Sequence, residues 1–210
     1  MTVKDLGNIP FRLSVLGAVF PNNRALAAKA KRLEDASEII RLKRGMYVTS
    51  PSISGVRLNE FLIANHLHGP SYVSMQSALR YYGLIPETVT ETISLTPGLA
   101  KVFTNDVGLF RYVHCPDAYF SVGIRSVAEG NAVFMMASPE KALCDLMIFT
   151  PHLNLRYNAE IRTYLEEDLR IELDDLREFN MDILKECAEL GKKRTMVKQL
   201  IRIIEDERNI

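Results

Sequence analysis

"IIRLKRGMYV", residues 39–48, decides how the first quarter of this chain is read. Ile39, Ile40, Leu42, Met46, Tyr47 and Val48 are apolar, β-branched or aromatic residues that favour a paired and partly buried strand. Arg41, Lys43, Arg44 and Gly45 gather where such a strand would reverse. The stretch therefore predicts a hairpin: Ile39–Leu42 outward, Lys43–Gly45 as the turn, Met46–Val48 as the return. Its tip is cationic.

The hairpin is preceded by "NNRALAAKAKRLEDASEII" (22–40). Two asparagines able to cap a helix lead into an alanine-rich, strongly helical run. At 100° per residue, Leu26, Ala30, Leu33 and Ser37 share one face. Arg24, Ala28, Lys31, Arg32 and Asp35 occupy the other. Before that, "FRLSVLGAVF" (11–20) is apolar enough for a short buried helix ended by Pro21. Helix, helix, hairpin is the layout of a winged-helix module. "TSPSISGVR" (49–57) then has the Ser, Pro and Gly content of a linker.

The charge distribution changes at the same place. The whole chain of 210 residues is formally neutral. Residues 1–57, however, hold ten Lys and Arg against four Asp and Glu, an excess of +6. The rest hold 16 bases and 22 acids, or −6. A basic head joined to an acidic body points to an anionic partner for the head.

The body, 58–210, reads as α+β. "LNEFLIANHLHG" (58–69) and "VSMQSALRYYG" (73–83) are helices stopped by glycine, the second with Ser74 as its N-cap. From about 89 to 136 the period shortens. "TVTETISLTP", "GLFRYVHCP", "YFSVGIRSVAEG" and "NAVFMMAS" predict about four antiparallel strands. "SPEKALCDLMIF" (138–149) begins a helix, with Ser138 as N-cap and Pro139 at the first position. "YNAEIRTYLEEDLR", "FNMDILKECAELG" and "TMVKQLIRIIEDER" complete a helical tail running to about 208.

Evidence for an enzyme is thin. There is no Gly-rich phosphate loop, HExxH, CxxC or G-x-S-x-G. His66 and His68, two apart on a helix, cannot jointly hold a metal. The acidic run 166–175 fits a solvated face. Cys115, Cys144 and Cys187 match neither a disulfide framework nor a ligand spacing, and read as buried free thiols. No cofactor is expected. No apolar run is long enough to cross a membrane, and the N-terminal residues lack a secretory pattern, so a cytoplasmic address is expected. The basic cluster "GKKRT" (191–195) can offset the dipole of the helix before it.

The strongest chemical signal is the basic head. A recognition helix needs an apolar face to seat it and a polar face of donors. A wing needs a cationic tip. The candidate DNA-binding residues are Arg24, Lys29, Lys31, Arg32, Arg41, Lys43, Arg44 and Tyr47.

Residues 39–149 also contain ordered blocks that resemble the AbiEi antitoxin family, the regulator-like partners in type IV toxin–antitoxin systems. The blocks are "IIRLKRGMYV", "ANHLHGPSYVSMQSALRYYGLIPE", "ISLTPG", "FRYVHCP" and "ASPEKALCDLM". The resemblance implies a winged helix that binds double-stranded operator DNA and represses its own operon. It also implies a body that counteracts a nucleotidyltransferase-like toxin. The wing then falls on Arg41, Lys43, Arg44, Gly45 and Tyr47. The body's signature falls on Pro70, Tyr72, Ser74, Ala78, Leu79, Gly83, Pro139, Glu140, Lys141, Ala142 and Asp145. Fold specification explains many of these, and Arg80, Tyr82, Glu140 and Lys141 are expected to be exposed and to contact the partner. The expectation is a non-enzymatic antitoxin and autorepressor, with a head at 1–50 and a body at 58–210. The alternative is an interaction module whose winged helix has stopped binding DNA.

Overall fold

The computed structural model describes residues 2–87 and 90–209. The strand expected from Thr88 begins two residues before the described part resumes, so Thr88 and Val89 lie outside it. The fold is α+β.

The head holds β1 (Phe11–Arg12), α1 (Val15–Val19), α2 (Leu26–Asp35), β2 (Ile39–Lys43) and β3 (Met46–Thr49). These strands form an antiparallel sheet ordered β1-β3-β2. Two expectations are corrected here. Phe11 and Arg12, read as the start of a helix, pair with Tyr47 and Met46 instead, and the helix begins only at Val15. Arg24, read as part of the α2 face, precedes that helix, whose N-cap is Ala25. The hairpin reverses at Arg44 and Gly45, and Gly45 sits at φ +74°, a region that glycine enters without steric cost.

The segment read as a linker contains a helical turn, α3 (Pro51–Ser54). Beyond it lie α4 (Glu60–Leu67), β4 (Tyr72–Val73), α5 (Met75–Tyr81), β5 (Glu91–Thr96), β6 (Lys101–Asn105), β7 (Gly108–His114), α6 (Asp117–Phe120), β8 (Ile124–Glu129) and β9 (Ala132–Ala137). The tail carries α7 (Pro139–Phe149), α8 (Asn158–Thr163), α9 (Met181–Leu190) and α10 (Arg194–Arg208).

The body sheet has six strands, ordered β6-β7-β5-β4-β9-β8. It is mixed, which corrects the expected four antiparallel strands. β5 pairs parallel with β7, and β4 parallel with β9. Alternation predicts that a segment is a strand, but not its neighbour: two hairpins, β6–β7 and β8–β9, attach to opposite sides of a central β4–β5 pair. Helix α4 packs across β4, β5 and β9, and α5, α7, α9 and α10 pack in succession.

Two apolar cores result, and the hairpin of residues 39–48 divides its side chains between them. Ile39 and Tyr47 join Phe11, Leu16, Ala30 and Leu33 in the head core. Leu42, Met46 and Val48 point the other way, into the main core of the body. Strand side chains alternate across the pleat, so one hairpin can seat both units. Each of those three contributes about 1.5–3 kcal/mol by burial.

Candidate nucleic-acid interface

Helix α2 is seated by Ala30 and Leu33, both buried in the head core. Its opposite side presents Ala27, Ala28, Lys31, Arg32 and Asp35 to solvent. The eight cations and aromatics singled out in the sequence divide into three groups around this frame.

Arg24, Arg32 and Arg44 are exposed, and among the described residues none has a carboxylate partner. Lys29 is half-buried with its ammonium 4.3 Å from the centre of the Phe20 ring. Like the three arginines, Lys29 has no carboxylate partner among the described residues.

Lys31 and Arg41 are exposed but already paired. Lys31 Nζ donates to Asp35 Oδ1 at 2.6 Å, one helical turn on, and this bond is what raises its pKa. Arg41 donates through Nε and Nη2 to Glu34 Oε2, at 3.1 and 2.7 Å. Either acid would have to yield before these cations could take a phosphate.

Tyr47 and Lys43 do not face solvent as a wing contact requires. Tyr47 is only 5% exposed, tilted against Phe11 with ring centres 6.2 Å apart. Its cross-strand partner Phe11 explains the burial: residues opposite each other in a sheet share a face, and this face meets α1 and α2. Lys43 turns toward the body, donating to the carbonyl oxygen of Leu67 and lying 5.6 Å from the centre of the Phe103 ring.

The residues expected to contact a protein partner scatter. Arg80 is exposed and donates to the carbonyl of Pro86 at 2.9 Å. Tyr82 is half-buried, its hydroxyl donating to the Ala137 carbonyl at 3.0 Å. Glu140 and Lys141, expected to be exposed, are buried. Glu140 keeps one guanidinium 3.5 Å away, that of Arg125.

Lys141 lies within a closed polar cluster centred on Asp145, and neither side chain has any exposure. Asp145 accepts from Lys141 Nζ at 2.7 Å, Ser74 Oγ at 2.6 Å, Tyr72 Oη at 3.1 Å and Tyr119 Oη at 2.7 Å. The Lys141 ammonium sits 3.2 Å from the centre of the Tyr119 ring. Burial, then the Asp145 carboxylate, raises the phenol pKa of both Tyr72 and Tyr119. Gly123 makes room, since a Cβ there would lie 3.0 Å from Lys141 Cβ. Lys141 and Asp145 are one turn apart on α7, and the fold closes over that turn with α5, α6 and α9. Ser74 occupies the N-cap position of α5 but gives its hydroxyl to Asp145 rather than to the helix.

Tyr72, Ser74, Lys141 and Asp145 were all among the signature positions in the sequence. Tyr119 was not, and nothing in its local pattern marks it. Sealed from solvent, the cluster holds β4, α5, α6 and α7 together; it offers a substrate no access. Cys144 and Cys187 are buried free thiols beside it, and their mutual interaction raises the Cys144 pKa and lowers that of Cys187.

Among the described residues no group of three or more His, Cys, Asp or Glu is placed to hold a metal ion. No helix there is long and apolar enough to cross a membrane. No family model matches the chain, and no curated protein matches its sequence. The crystal structure of the RV2827C protein from Mycobacterium tuberculosis aligns with a TM-score of 0.50 at 12% identity, over 93% of this chain and 76% of that one. At that identity the likeness is one of fold, and it spans head and body together.

Proposed function

We propose that this chain is a cytoplasmic, non-enzymatic DNA-binding regulator that represses its own operon through the head. Its body counteracts a nucleotidyltransferase-like toxin, as the AbiEi-like blocks imply. The observation that carries the DNA part is the seating of α2. Its apolar side is fixed in the head core, while Ala27, Ala28 and Arg32 stand open on the helix and Arg44 stands open at the hairpin tip. Two alanines allow close approach to a groove. Arg32, Arg44 and Arg24 supply donors for phosphates.

The test is fluorescence anisotropy with a labelled duplex from the region upstream of the protein's own gene. Changing Arg32 and Arg44 together to alanine is expected to weaken binding and to lower the slope of log affinity against log salt by about 2. Wild-type affinity no higher for that duplex than for an unrelated one at physiological salt would sink the operator reading.

A second reading has specific support. Lys31 and Arg41 are neutralised within the head, Tyr47 is buried and the hairpin is packed on the body. A head so engaged suits an interaction module that no longer binds DNA. The same titration separates the two.

A further inference from the structure

The head and body meet at a cleft of about 490 Å³ lined by Arg12, Lys43, Arg44 and Met46 on one side and by His66, Leu67 and His68 on the other. Its cationic character is built by register. Met46 on β3 faces Arg12 on β1 and Lys43 on β2, and Met46 points toward the body. A third strand adds another cation: the ammoniums of Lys101, on β6, and of Lys43 lie 5.1 and 5.6 Å from the centre of the same Phe103 ring.

Among the described residues none of Arg12, Lys43, Arg44 or Lys101 has a carboxylate within ion-pair distance. This is unlike α2, whose acids Asp35 and Glu34 neutralise Lys31 on the same helix and Arg41 on β2. Burial, then Lys101 and Arg12, lowers the Lys43 pKa, and no acid contributes in the other direction. Lys43 uses one of its three N–H donors on the Leu67 carbonyl and keeps two. Cations from three strands converging without an internal counterion are unfavourable until an anion neutralises them.

We infer that this cleft binds a phosphate group, carried by a nucleic-acid backbone that passes from the wing onto the body. Arg44 and Arg12 hold it from the head, Lys43 from the cleft wall, and Lys101 from β6. The inference rests on the DNA-binding reading for the source of the phosphate, and on the cleft alone for the phosphate. It makes the DNA surface composite: a residue of the acidic body, Lys101, belongs to it. It also gives the docked hairpin a purpose, since a wing fixed against the body cannot move independently of Lys101.

Two measurements on the full chain test it. The first follows backbone amide shifts while inorganic phosphate is added. The second is the duplex titration repeated with the double variant Arg12→Ala/Lys101→Ala, both exposed positions whose replacement leaves both cores intact. Expected are phosphate-dependent shifts at residues 44–46 and 66–69, together with a loss of duplex affinity on the order of tenfold and a salt slope reduced by about 1. Unchanged duplex affinity in the variant, with no phosphate shifts in the wild type, overturns the cleft and leaves the DNA reading standing. Phosphate shifts without any duplex binding support the cleft, assign it to free phosphate compounds, and overturn the DNA reading.

Discussion

Lys141 in the body and Lys43 at the wing are both drawn out of bulk water, and their surroundings are opposite. Around Lys141 the protein supplies its own counterion, Asp145, and three hydroxyls complete that carboxylate's shell. Around Lys43 it supplies a carbonyl, an aromatic ring and two further cations. A buried charge whose partners are all internal specifies packing. A half-buried charge whose neighbours have the same sign waits for something external. The first cluster is a structural joint, and the second is a surface prepared for an anion.

Four measurements test this contrast. The largest effect is expected for Asp145→Ala, which leaves the Lys141 ammonium buried without a counterion. Removing one partner of a buried pair costs about 3–5 kcal/mol, and the melting temperature should drop by roughly 10 °C. A loss below about 1 kcal/mol would show that the cluster is not the joint described.

Lys141→Met should cost less, about 2 kcal/mol, because Asp145 keeps three hydroxyl donors. Equal losses in these two variants would mean that the hydroxyls do not support the carboxylate.

Tyr119→Phe removes one donor, and about 1.5 kcal/mol is expected in urea unfolding. The same tyrosines set an alkaline limit. Their folded pKa values lie above the ordinary 10.0, so the folded state holds the phenol protons more tightly. The stability this gives is complete below pH 10 and is lost as pH rises through the raised folded values. The decline above pH 10 should be shallower in Tyr119→Phe. An unaltered alkaline profile would contradict the placement of Tyr119 Oη on Asp145.

The smallest effect carries the opposite sign. Arg12→Gln at the wing cleft relieves like-charge repulsion and should stabilise the free protein by roughly 0.3 kcal/mol at low salt, with the gain vanishing at high salt. Destabilisation there would mean that the cleft has an internal counterion after all.

Much of the fold was legible locally. The helix expected over 58–69 appears as Glu60–Leu67, that over 73–83 as Met75–Tyr81, and that over 138–149 as Pro139–Phe149. In the last helix Val197, Leu200, Ile201 and Ile204 are all buried, as their spacing required. The acidic run behaves as a solvated face, with Glu166, Glu167, Asp168, Asp174 and Asp175 exposed around buried Leu165, Ile171 and Leu173. The candidate site was less legible. Arg32 and Arg44 stand where the sequence suggested. Tyr47 and Lys141 do not, because a tyrosine after a glycine turn and a lysine in the first turn of a helix are ordinarily exposed, and no local signal marks these as covered.

The basic head, the hairpin at 39–48 and the main helices of the body were legible in the residues alone, because these depend on propensity, periodicity and charge within a few residues of one another. Packing over long range set how the hairpin divides its side chains between two cores, how Asp145 gathers groups from β4, α5, α6 and α7, and how Lys101 and Lys43 come to share the Phe103 ring. Each of these joins residues dozens of positions apart, and the physical reason is the same in all three. Strand order and helix packing choose which distant side chains share a site, and local propensity is blind to that choice.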